Sequence, residues 1–229
     1  YRGAYIPVSP LNSFGALFSP LIFVMASVSK TAKDSIQAKF STIAAGYHPV
    51  VGPEAQTKSY ESLLESVATA LGAKHRQTPL VNAGYAIRIA AVCQQIQAFV
   101  SFHQQQQQPQ QQENASSTLQ LVHLGAGLDV TGLWSFSLDD SIEIHVIEVD
   151  TPEICSAKKE TLLQLGLVEV TEGPAGEQQS VYLHGRPTND GCASQSTYTL
   201  VATDLRDLGA VQEALAFVRT DVPTLTISE

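Results

Sequence analysis

Gly125, Ala126 and Gly127 follow an apolar run (Leu121, Val122, Leu124), and a second apolar run over residues 142–149 closes on the acids Glu148 and Asp150. Strand, tight glycine turn, second strand and terminal acid, with about twenty residues between turn and acid, is the spacing of a nucleotide-type cofactor site. Without a Cβ, each glycine lets the backbone approach a ligand closely. A carboxylate such as Asp150 offers two acceptor oxygens to a ribose diol.

The third glycine of the G-x-G-x-x-G pattern is missing, because Leu128, Asp129, Val130 and Thr131 follow Gly127. A dinucleotide needs the helix N-terminus for its pyrophosphate. S-adenosylmethionine has ribose and adenine but no phosphate, so a shorter turn suffices for it. Taken alone, G-A-G is also what an ordinary strand-to-helix turn contains. A nicotinamide-dependent oxidoreductase fits the strand order but not the missing glycine.

The elements that must position these residues alternate in the second half of the chain. Strands are predicted at residues 119–124, 143–149 and 197–203, and one begins at residue 223; helices are predicted at 152–165 and 208–218. Lys158 and Lys159 are expected on the solvated face of the first of these helices. The segment 169–196 is rich in Gly, Pro, Gln and Ser and reads as loop with a short strand at 181–183. This alternation predicts an α/β, doubly wound sheet with helices on both faces. Gly125, Asp150, Asp204 and Glu229 all fall at carboxyl ends of its strands, where such sheets bind ligands. Upstream, helices are predicted at 34–45, 60–71 and 85–102. His123 and His145 lie inside strands and are read as structural.

The net charge of −9 argues against holding a nucleic-acid backbone by bulk electrostatics, though a local basic pocket stays open. Cys93, Cys155 and Cys192 are widely spaced and odd in number, which supports neither a disulfide framework nor a metal site and points to a reducing, cytoplasmic setting. Residues 14–28 are apolar but contain Pro20 and fall short of the roughly eighteen to twenty residues of a membrane span. Met25 opens a polar stretch and is read as the natural start. The resulting division is a leader or disordered N-terminus over 1–29, a helical region contributing to the cofactor pocket over 30–103, a Gln-rich disordered linker over 104–117, and a cofactor-binding half-domain over 118–229.

QLVHLGAGLD followed by HVIEVDTPEICSAKKETL resembles the leucine carboxyl methyltransferase family. DSIQAKFSTIAAGY, PLVNAGYAIRIAAV, VATDLRDL and PTLTISE resemble further family segments in the same order. Ala83 stands where the family usually has an arginine before Gly-Tyr, and His123 where many methyltransferases carry an acid or a small polar residue. The resemblance implies a class I methyltransferase Rossmann-like fold, S-adenosylmethionine as cofactor and an N-terminal helical extension. It also implies a C-terminally truncated member, with the sheet incomplete and much of the acceptor pocket beyond Glu229.

The same resemblance implies the site residues. Lys39 and Arg88 meet the methionine carboxylate, Gly125 brings the backbone to the cofactor, and Asp150 holds the ribose. Asp204 and Leu205 fix the adenine, and Glu229 lies beside the cofactor. The plainer readings are a solvated helix lysine for Lys39 and a surface ion-pair partner for Arg88. Two acceptors compete: the C-terminal leucine of the protein phosphatase 2A catalytic subunit, weakly favoured by DLRDL and the acidic balance, and tRNA carrying wybutosine, weakly favoured by HRQTPLVN. A non-enzymatic cofactor-binding or interaction module is the third reading. No metal is expected.

Overall fold

The computed structural model describes residues 18–49, 51–73, 76–107, 117–139, 141–168, 183–184 and 196–228. Three helices come first: α1 (Phe18–Ala44), α2 (Glu54–Ala70) and α3 (Pro79–Gln107). Strand and helix then alternate through β1 (Ser117–Leu124), α4 (Thr131–Ser135), β2 (Ile142–Asp150), α5 (Pro152–Gln164), β3 (Leu183–His184), β4 (Thr197–Ala202), α6 (Leu208–Ala214) and β5 (Thr224–Ser228). The sheet order is β3-β4-β2-β1-β5. The strands β4, β2, β1 and β5 run parallel, in the Rossmann-like arrangement that the alternation implies, and β3 pairs antiparallel with β4.

Period-2 alternation assigns each strand's side chains to one of two cores. Leu119 and Leu121 of β1, Ile142, Ile144 and Val146 of β2, and Tyr198 and Leu200 of β4 pack with the helical layer that includes Ile36, Leu64, Ile96 and Trp134. Val122, Ile147, Val149 and Val201 point to the other face, where Leu215 and Val218 cover them. Both faces of β1, β2 and β4 are covered, as buried parallel strands require, whereas Thr224, Thr226 and Ser228 of β5 are exposed.

Several elements exceed their predicted bounds. α1 starts at Phe18 rather than at residue 34, inside the stretch read as leader or disordered. α3 reaches Gln107 and so takes in the first glutamines of the tract read as linker. Gln is a good helix former, and the Gln104 amide donates to Asp139 just before β2. α6 is shorter than predicted, ending at Ala214. The short strand lies at Leu183–His184; residues 181 and 182 of the prediction, most of the 104–117 segment, Cys192 and Glu229 lie outside the described residues. Among the described residues no helix is long and apolar enough to cross a membrane.

Lys158 requires a correction. It is 1% exposed, not solvated, and its ammonium pairs with Glu148 on the neighbouring strand β2. α5 begins with Pro152 at N1, and the i, i+4 spacing of Ile154, Lys158 and Leu162 puts all three on its buried face. Glu148 sits on the same side as Val146, so the two charges meet inside the core. The Tyr198 hydroxyl donates to the same carboxylate at 2.6 Å, and burial together with Glu148 pushes the phenol well above its ordinary pKa.

Candidate cofactor site

A cavity of about 470 Å³ opens at the carboxyl ends of β1, β2 and β4, where loop residues meet α1 and α3. That volume lies within the range of small-molecule sites. Gly125 and Gly127 adopt φ of +72° and +57°, the left-handed region where a side chain is strained. They let the chain leave β1, double back and enter α4 within a few residues. The Gly125 amide donates to the Val149 carbonyl at 2.8 Å, which ties the turn to the end of β2.

Asp150 closes the same turn from below. Its Oδ2 accepts from the Gly127 amide at 2.7 Å and its Oδ1 from the Thr151 amide at 2.7 Å. The Asp150 carbonyl accepts from the Thr203 amide at 2.8 Å, so β1, β2 and β4 are joined at one level. Each carboxylate oxygen keeps a second lone pair for a ligand hydroxyl. Cys155, one turn into α5, directs its thiol at the Asp150 and Val201 carbonyls. Burial first, then the Asp150 charge, pushes that thiol up to about 12, which removes it as a nucleophile.

Asp204 and Leu205 follow β4 and line the cavity with Arg206. Arg206 grips the exposed Asp204 carboxylate as a fork, Nε to Oδ1 at 2.8 Å and Nη2 to Oδ2 at 2.5 Å. Hydrogen bonding from that guanidinium, then from the Arg206 backbone amide, holds the Asp204 carboxyl at about 2. Leu205 packs against the Val122 and Val201 cluster and supplies an apolar wall.

From the helical layer, α1 contributes Lys39 and α3 contributes Tyr85 and Arg88 to the cavity wall. Lys39 is not a solvated lysine: only 2% of it is exposed, and its ammonium lies 2.9 Å from Asp129 Oδ2. Arg88 is solvent-exposed at the cavity. Burial alone would raise the Asp129 carboxyl, but the Lys39 charge and the Thr131 hydroxyl outweigh it and hold the group well below the usual carboxylate range.

The structure therefore brings Lys39, Arg88, Gly125, Asp150, Asp204 and Leu205 to one cavity. Asp129 and Arg206 line it too, and sequence reasoning passed over both. Asp129 was visible only as the residue that breaks the glycine pattern, and Arg206 only as part of a motif string. His123 is buried in β1. His145 in β2 bonds through Nδ1 to Thr197 Oγ1 at 2.6 Å, away from the cavity and between two strands. No grouping of His, Cys, Asp and Glu able to hold a metal ion occurs among the described residues.

A family model described as leucine carboxyl methyltransferase matches residues 48–229. The chain belongs to that family. Among its relatives is leucine carboxyl methyltransferase 1 of Bos taurus, 29% identical over 161 residues, which make up 68% of this chain and 42% of the bovine protein. Leucine carboxyl methyltransferase 1 of Eremothecium gossypii is 25% identical over 221 residues, covering 89% of this chain and 61% of that protein. The tRNA wybutosine-synthesizing protein 4 of Homo sapiens is 30% identical over 156 residues, 67% of this chain and 21% of the human protein. The chain thus spans less than two thirds of the length of these relatives. The family match starts after α1, so Lys39 lies upstream of it, whereas Arg88 and the sheet residues lie within it.

Proposed function

We propose that this chain forms the S-adenosylmethionine site of a carboxyl methyltransferase whose acceptor is the C-terminal leucine carboxylate of a protein phosphatase 2A-type catalytic subunit. The observation that carries the reading is the cavity itself. The glycine turn, Asp150 and the Asp204–Leu205 segment reach it from the sheet edge, and the cationic side chains Lys39 and Arg88 reach it from the helical layer. That division matches the cofactor's own: a nucleoside at one end, an amino acid with its carboxylate at the other. An Arg fork suits a carboxylate. Asp150, pinned by two backbone amides, is already oriented toward the cavity without reorganisation.

When bound, the cofactor supplies a methyl group on a sulfonium cation. The residues of this chain then have little acid–base work to do. A substrate carboxylate, with an unperturbed pKa of about 4, is ionised at neutral pH and needs no base to activate it. Lys39 and Arg88 would anchor the amino-acid end, Asp150 the ribose, and Asp204 with Leu205 the adenine. By holding both ends of the cofactor these residues would orient it toward the acceptor, so that orientation and desolvation would supply much of the acceleration. For Asp204 to take the adenine amino group, Arg206 must share or yield its fork.

The 30% identity with the human tRNA wybutosine-synthesizing protein favours a second reading, in which the acceptor is the wybutosine side chain of tRNA. The reading as a whole is tested by calorimetry with S-adenosylhomocysteine and with NAD. Binding of the first and not the second is expected, and the reverse would overturn it. Transfer of a labelled methyl group to a leucine-ending phosphatase subunit, set against transfer to phenylalanine tRNA, divides the two acceptors.

A further inference from the structure

Asp129 collects four donors from three parts of the fold: α1, α2 and the start of α4. Its Oδ2 lies 2.9 Å from the Lys39 ammonium of α1 and accepts from the Thr131 hydroxyl at 2.6 Å. Its Oδ1 accepts from the Val130 amide at 2.7 Å and from the Tyr60 hydroxyl of α2 at 3.5 Å. The carboxylate is buried, and so is Lys39, yet both line the cavity. A buried ammonium without a counter-charge is costly and tends to lose its proton or to withdraw. With Asp129 in place the charge can persist at the wall.

We propose that Asp129 is a positioning residue of the cofactor site: it holds the Lys39 ammonium, charged and in place, at the end of the cavity that receives the amino-acid part of the ligand. The inference rests on the S-adenosylmethionine reading and adds a residue to it. Asp129 lies two residues past the Gly125–Gly127 turn, just before α4. Its effect on the ligand runs through Lys39. Removing the carboxylate therefore weakens the grip on the ligand's carboxylate and leaves the grip on its nucleoside unchanged.

The test compares two ligands on the full 229-residue chain. S-adenosylhomocysteine carries the amino-acid moiety and methylthioadenosine lacks it. Calorimetry should show D129N and K39M each weakening S-adenosylhomocysteine on the order of tenfold or more, the scale of one hydrogen bond to a charged group. Methylthioadenosine affinity should stay within about twofold of wild type. The double variant K39M/D129N should be no weaker than either single one, and D129E should recover part of the loss.

Equal loss of both ligands, unchanged S-adenosylhomocysteine affinity in D129N, or additive losses in the double variant would each overturn the proposal. If D129N fails to fold, K39M/D129N carries the comparison, since it removes both members of the pair. Should that variant also fail, Asp129 serves the fold rather than Lys39 and the proposal falls. A wild-type chain that binds neither ligand would overturn the cofactor reading instead, and this proposal with it.

Discussion

At the scale of single residues, Asp150 and Lys158 show how differently two charged groups near one strand end can work. Asp150 accepts two backbone amides and remains open to the cavity, so it is a structural clasp whose free lone pairs face the space proposed for the ribose. D150A leaves the Gly127 and Thr151 amides without their partner. Loss of about 1–3 kcal/mol is expected in urea unfolding, together with at least a tenfold loss of S-adenosylhomocysteine affinity by calorimetry. Unchanged affinity would remove Asp150 from the ribose role. Lys158 never reaches the cavity. K158A strands the buried Glu148 carboxylate, and the expected cost is about 3–5 kcal/mol. K158M combined with E148Q should recover most of that, because neither buried charge then remains. If the double variant is no more stable than K158A, the pair is not what holds α5 to β2. Asp150 was legible in the sequence because an acid ending an apolar run after a glycine turn has a stereochemical reason to be there. Lys158 was not, because lysine on an amphipathic helix is normally solvated, and only the register of Glu148 on β2 shows otherwise. Asp129 escaped for the same reason: its meaning depends on Lys39, ninety residues earlier in the chain.

At the scale of elements, the strands were read to within two residues, because buried parallel strands are short, apolar and bounded by turn residues. The helices of the first half were read too short. α1 also takes in residues 18–33, where the sequence of mixed apolar and polar residues carries no clear cap, and α3 continues into a glutamine run that composition alone assigns to a linker. Contacts across the sheet also have consequences at this scale. His145 of β2 bonds to Thr197 where β4 begins, and Glu143 lies 3.3 Å from its Nε2. Burial lowers its pKa, partly opposed by the Glu143 charge and reinforced by that of Arg219. A histidine lowered on folding favours the neutral form in the folded chain. Its contribution is therefore complete above the unfolded value near 6.5 and is lost as pH falls through the lower folded value. The urea midpoint should drop between pH 7 and the acid side of that folded value, and H145Q should flatten the drop. An equal drop in H145Q would place the responsible group elsewhere.

At the scale of the whole molecule, the cavity is a seam. One wall is the loop edge of the sheet, which carries Gly125, Asp150 and Asp204, and the other is the helical layer, which carries Lys39 and Arg88. The two walls share a core through Ile36, Leu64, Ile96 and the inner faces of β1 and β2, so a ligand spanning the seam is bound by both at once. Binding to the folded chain alone stabilises it by RT ln(1 + [L]/Kd), about 2.7 kcal/mol when ligand stands at a hundred times Kd. For a chain of this size each kcal/mol raises the melting temperature by roughly 2–4 °C. S-adenosylhomocysteine at that excess should therefore raise Tm by about 5–10 °C in a single transition. NAD should leave it unmoved, because the turn lacks the third glycine that a pyrophosphate requires. R88M should shrink the shift at fixed ligand concentration, measured against the variant's own ligand-free Tm, since Arg88 is exposed at the cavity. Two separate transitions, with only one responding to ligand, would mean that helices and sheet melt independently and that the seam is not a single site.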